Sequence, residues 1–155
     1  MNIIRMAAAA AVLALAGSAA LAAGDDADVM AAINGFNDAL NAQKPTAPYL
    51  AASQTAIDEF APYHWSGADG VKSWGEAFGA FMQSGGISEP LLKLDQPSRI
   101  EHDGTHAYAI IPAEFTFKQK GRPMHEHGAF AFALDQTADG WKIAGFSWSG
   151  PRPTP

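Results

Sequence analysis

Between residues 26 and 42 the apolar positions Val29, Ile33, Phe36 and Leu40 recur at helical spacing. Asp25 or Asp26 is placed to cap this helix, and Lys44-Pro45 stops it. Residues 48–53 read as a further short helical turn. The next stretch, "TAIDEFAPYHW" (55–65), is β-branched and aromatic, but Pro62 restricts it to a short or edge strand. Residues 69–82 return to helical spacing, with Val71, Trp74, Phe78 and Phe81 on one stripe.

Beyond Gly85-Gly86 the period changes to two. Strands are predicted at 91–96, 106–118, 122–136 and 141–149, separated by the turns His102-Asp103-Gly104, Lys120-Gly121 and Ala138-Asp139-Gly140. Helices first and an antiparallel meander afterwards predict an α+β fold, with N-terminal helices packed in a strongly curved antiparallel sheet.

Pairing the strands assigns their faces. A two-residue Lys120-Gly121 loop sets Gln119 opposite Arg122. Phe115 then faces Glu126, Ile111 faces Phe130, Ala109 faces Phe132 and Phe117 faces Met124, all on one bulky apolar face. The other face pairs Glu114 with His127 and Thr116 with His125. In the next hairpin, Gln136 opposite Trp141 sets Leu134 against Ile143 and Phe130 against Ser147. A one-residue slip would exchange the faces.

The first 23 residues stand apart from this pattern. Arg5 precedes an apolar run at 6–15, and Ala20-Leu21-Ala22 offers small residues for cleavage near Ala22-Ala23, the form of a signal peptide. The expectation is an exported protein, periplasmic or secreted, with one domain at 24–150 and a disordered tail at 151–155. The formal net charge is −6, and losing Arg5 with the leader makes it more negative. Such a surface disfavours nucleic acid and anionic membrane. The absence of cysteine excludes disulfides and thiol catalysis.

Candidate chemistry centres on carboxylates. Glu126 points into the apolar face, where a carboxyl must find donors or stay protonated. Two readings stand: a pocket acid that orients a ligand or moves a proton, or a structural carboxylate bonded to a Tyr, Trp or backbone donor. His125 and His127 share the opposite face, and His106 lies about 25 Å along the strand. No third ligand completes a metal site. No cofactor motif is present.

"DEFAPYHWSG" with its Asp58-Glu59-Phe60, Tyr63, Trp65 and Gly67, then Trp74, "GRPMHEHGAFAFAL" (121–134) and "GWKIAGFSWS" (140–149), resembles the nuclear transport factor 2-like superfamily. The similarity is to its SnoaL-like and ketosteroid-isomerase-like bacterial branch, and it spans residues 25–149. The resemblance implies a cone-shaped, cystatin-like roll with a pocket at its open end. It also implies a catalytic acid in the stretch holding Asp58 and Glu59. Polyketide-cyclase-like relatives often carry a histidine on the last strand, where this chain has Gly145 and Ser147.

Three functions follow. The first is an exported binder of a small apolar or amphipathic molecule. Tyr63, Trp65, Trp74, Phe78, Phe115 and Phe130 would line its cone, with Asp58 and Glu126 as polar handles. The second is an isomerase- or cyclase-type enzyme with Asp58 or Glu126 as general base, and with Tyr63, Tyr108 or His64 to stabilise developing charge. The third is a structural or partner-binding module. Whichever function holds, the outer sheet face is expected to carry Tyr108, Ile110, Ala129, Ala131, Ala133, Phe146 and Trp148, an apolar patch that predicts a homodimer anchored by Trp148.

Overall fold

The structure, a computed structural model, describes the backbone of residues 12–155 and the side chains of residues 25–155. The expected leader therefore lies outside the residues whose side chains are described. Among the described residues, no helix is long and apolar enough to cross a membrane.

Helix α1 (Val12–Asn41) is followed by a 3-10 turn (Ala47–Tyr49) and strands β1 (Leu50–Ile57) and β2 (His64–Gly67). Helix α2 (Gly70–Gly85) then precedes β3 (Ile87–Leu94), β4 (Arg99–His102), β5 (His106–Gln119), β6 (Arg122–Thr137) and β7 (Gly140–Ser149). The strands form one curved sheet in the order β2-β1-β7-β6-β5-β3, with β4 following β3 along the same edge of β5.

The apolar stripe of α1 is the predicted one: Val29, Ile33 and Phe36 are buried against the concave face. Phe36 meets Phe132 edge-on and also touches Phe146. Asp25 and Asp26 do not cap this helix; they lie within it and face His102 at 3.7 and 3.3 Å. Helix α2 buries Val71 and Trp74 and ends at Gly86, whose φ of 65° allows its N–H to cap the last turn.

The segment read as one edge strand at 55–65 is two. β1 and β2 pair antiparallel, joined by a turn over residues 58–63 that contains a cis Ala61-Pro62 bond. The helical turn expected at 48–53 ends at Tyr49, and the strand begins at Leu50. β1 also pairs parallel with β7, so the sheet is mixed rather than wholly antiparallel. The five later strands pair antiparallel with one another.

The β5–β6 register is the predicted one, from Gln119 opposite Arg122 to His106 opposite Asp135. The β6–β7 register is not. Leu134 pairs with Ile143, but Ala133 pairs with Gly145, so Ala144 is an extra residue on β7. This bulge reverses the alternation beyond it. Phe132 therefore faces Phe146, and Phe130 faces Trp148 rather than Ser147.

The consequence is a correction. Phe146 and Trp148 are not on the outer face: Phe146 is buried in the core, and Trp148 packs on Phe130 at 4.9 Å. The outer face keeps Tyr108, half-buried Ile110, Ala129, Ala131 and Ala133, but it loses both aromatics that made a contiguous dimer patch. The bulge lies where β1 docks, for Thr55 pairs with Gly145 and the β1–β7 register also shifts between Leu50 and Thr55. The tail runs back along β6, where Thr154 pairs with His125 through two backbone hydrogen bonds.

Candidate functional site

The narrow end of the cone is filled by Ile33, Ile111, Phe132, Leu134 and Ile143, all fully buried. Towards the β5–β6 hairpin the packing opens into a cavity of about 640 Å³, within the usual range for small-molecule sites. Trp74, Phe78, Phe81 and Met82 of α2 form one wall. Phe115, Phe117, Met124, Glu126, Phe130 and Trp148 form the sheet wall. Leu40, Asn41, Ile87 and Leu92 close a third side, while the turn after β1 adds Asp58, Glu59 and Phe60.

The aromatics touch in sequence around this space. Phe78 stacks on Trp74 at 5.4 Å and meets Phe115 at 6.0 Å, and Phe115 meets Phe117 at 5.1 Å. Phe60 bridges Trp65 and Phe81. The helical spacing of Trp74 and Phe78 and the strand spacing of Phe115 and Phe117 aim all four inward.

Two tryptophans each hold a carboxylate. Trp74 Nε1 donates to Asp58 Oδ2 at 2.8 Å, and the Glu59 amide donates to Asp58 Oδ1 at 2.7 Å. Trp148 Nε1 donates to Glu126 Oε1 at 2.8 Å. Glu126 is 4 % exposed, and its Oε2 takes no hydrogen bond from the described residues. Gly128 makes this arrangement possible, because a Cβ there would lie 2.5 Å from the Trp148 ring.

The electrostatics follow from burial and like charge. Burial pushes the Glu126 carboxyl up to about 7, against the Trp148 hydrogen bond, and the negative charges of Glu59 and Asp58 add to the rise. Burial also raises Asp58, opposed by Trp74 and the Glu59 amide. Glu59 is raised by burial and then by Asp58. Near neutrality, Glu126 is shared between an acid that can donate and a base that can accept.

Of the residues nominated from sequence, Asp58, Glu126, Trp74, Phe78, Phe115 and Phe130 come together at the cavity. Two nominated liners do not. Tyr63 is 59 % exposed, because the turn at 58–63 throws it outward with φ of 72°. Trp65 is buried, but it packs on Phe60 behind the wall. Tyr108 and His64 are exposed and lie outside the cavity, so none of the side chains suggested to stabilise developing charge reaches it. Trp148 was missed as a liner because its placement depends on the bulge. Arg152 and Pro153 also line the cavity, and a proline-rich terminus carries no periodicity from which to read that.

His127 faces away, 3.8 Å from Glu114 on the accessible face. His125 lies beside it and bonds to Thr154 Oγ1 at 3.1 Å. Among the described residues, no group of three or more His, Asp or Glu is placed to hold a metal.

No family model matches the chain, and no curated protein does. Solved structures match over most of its length. A nuclear transport factor 2-like superfamily protein from Salmonella enterica serovar Typhimurium has a TM-score of 0.68 at 23% identity, covering 86% of this chain and 96% of that one. A putative scytalone dehydratase from Novosphingobium aromaticivorans has a TM-score of 0.66 at 12% identity, covering 81% and 83%. A ketosteroid isomerase-like protein from Erwinia carotovora atroseptica has a TM-score of 0.63 at 17% identity, covering 82% and 96%. The chain has the nuclear transport factor 2-like fold.

Proposed function

We propose that this protein is an exported binder of a small, largely apolar molecule held in the cavity, with the carboxyl cluster engaging the ligand's polar group. The observation that carries this reading is the hollow, aromatic-walled end of the cone with Asp58 and Glu126 both reaching it. A closed core would have filled that space, since protein interiors pack densely. The test is calorimetric titration with the neutral aromatic amine N-phenyl-1-naphthylamine. One saturable site per chain is expected, lost when Phe115→Arg places a charge in the sheet wall. No saturable binding by the wild type would end this reading.

A second reading, isomerase-type proton transfer, is favoured by the convergence of the two acids. Asp58, whose charged form the Trp74 and Glu59 N–H donors favour, is the base, and the neutral fraction of Glu126 donates through its free oxygen to the charge that develops. Structural neighbours named as a dehydratase and as ketosteroid isomerase-like support it. It predicts deuterium uptake next to the carbonyl of an enolisable ketone such as 2-tetralone, faster with the wild type than with Asp58→Asn. Equal rates would leave the binding reading alone standing.

A further inference from the structure

β6 is longer than β7 on their shared edge. Pairing stops at Ala129 opposite Ser149, which leaves residues 122–128 without a β7 partner. The chain does not leave the sheet there. Gly150 passes so close to β6 that a Cβ on it would lie 2.7 Å from Glu126 Oε1. Thr154 then exchanges both backbone hydrogen bonds with His125, at 2.8 and 2.9 Å, and its hydroxyl meets His125 Nε2 at 3.1 Å. A segment fixed at both ends holds what lies between them, and Arg152 and Pro153 both line the cavity.

Arg152 is chemically out of place there. Every other charged residue lining the cavity is acidic: Asp58, Glu59 and Glu126. Nevertheless, among the described residues Arg152 forms no ion pair with any of them. Its guanidinium is therefore a permanent positive charge beside an apolar space, with its donors uncommitted. Such a group recognises a planar or tetrahedral anion through paired N–H bonds. Only Pro151 separates it from Gly150, which passes beside Glu126, so a small ring-bearing ligand can reach both.

The geometry points to residues 150–155 as a built wall of the site, with Arg152 selecting a ligand whose apolar body carries an anionic group. This inference rests on the cavity being the binding site. Apolar rings would lie against Phe78, Phe115 and Phe117. The anion would sit at Arg152, at the rim, where it avoids the three carboxyls. The ligand class is a small aromatic or alicyclic carboxylate or sulfonate.

Two dyes sharing one skeleton test this. N-phenyl-1-naphthylamine is neutral, and 8-anilinonaphthalene-1-sulfonate adds only the sulfonate. The wild type should bind the sulfonate about tenfold more tightly, the scale of one charge-assisted contact, and the sulfonate should displace the neutral dye competitively. Arg152→Gln should abolish the preference, weakening the sulfonate about tenfold more than the neutral dye. Thr154→Pro, which removes the N–H that anchors the tail, should reduce the preference in the same direction. The inference fails alone if the neutral dye binds and the sulfonate has no advantage or does not compete. It also fails if Arg152→Gln weakens both dyes equally or neither. Failure of both dyes to bind the wild type refutes the cavity reading and this inference with it.

Discussion

Trp148 and Glu126 sit on adjacent strands of one concave face, and the indole N–H donates to the carboxylate at 2.8 Å. This hydrogen bond is the main influence favouring the charged form of a carboxyl that burial drives towards neutrality. Trp148→Phe keeps the ring and removes the donor. The Glu126 pKa should then rise further above about 7, as read from its carboxyl carbon shift by NMR. An unchanged or lower value would contradict the account of the pair.

Asp58 acts on Glu126 through charge. Asp58→Asn removes one of the two negative charges that raise Glu126, so its pKa should fall, opposite in sign to the effect of Trp148→Phe. The same NMR titration measures it. A rise would mean that Asp58 supports Glu126 in some other way.

Stability should decline with pH through the Glu126 titration. Its folded pKa, about 7, lies above its ordinary value of 4.5, so between those two values the unfolded chain has released a proton that the native state retains. The contribution is complete below pH 4.5 and is lost as pH rises to about 7. At about 1.4 kcal/mol per unit, the loss is roughly 3–4 kcal/mol at most. Glu126→Gln should flatten this decline in urea unfolding measured at pH 5 and pH 8. An equally steep decline in the variant would place the titration on another group.

Gly128 leaves room for the Trp148 ring. In Gly128→Ala the new Cβ would meet Cζ2 at 2.5 Å and the Ser149 carbonyl oxygen at 2.7 Å. Because backbone as well as ring must give way, the variant should lose about 1–3 kcal/mol. It should also shift Trp148 fluorescence. Wild-type stability would show that the ring is not seated there.

Trp148 belongs to the cavity and not to the outer face, so Trp148→Ala should weaken dye binding and leave the sedimentation coefficient unchanged. Ala131→Glu, on the outer face, should leave dye binding intact. If Trp148→Ala changed the association state, the dimer role first expected of Trp148 would return.

The α1 stripe of Val29, Ile33 and Phe36 was legible because a helix facing a core repeats its apolar positions locally. The β5–β6 register was legible for a similar reason: a two-residue turn sets the pairing, and alternation carries it through to Glu126 and its neighbours. Those two local rules placed the acid inside and the histidines outside. Three features were beyond their reach. Ala144 bulges where β1 docks across some ninety residues of sequence, and that insertion moves Phe146 and Trp148 from one face to the other. The turn at 58–63 is shaped by the β1–β2 pairing, which turns Tyr63 out while Asp58 stays beside Trp74. The tail is held by the uncovered edge of β6. Alternation and helical period are properties of neighbours in the chain, whereas bulges, turn orientation and edge pairing are decided by whichever distant segment arrives beside them.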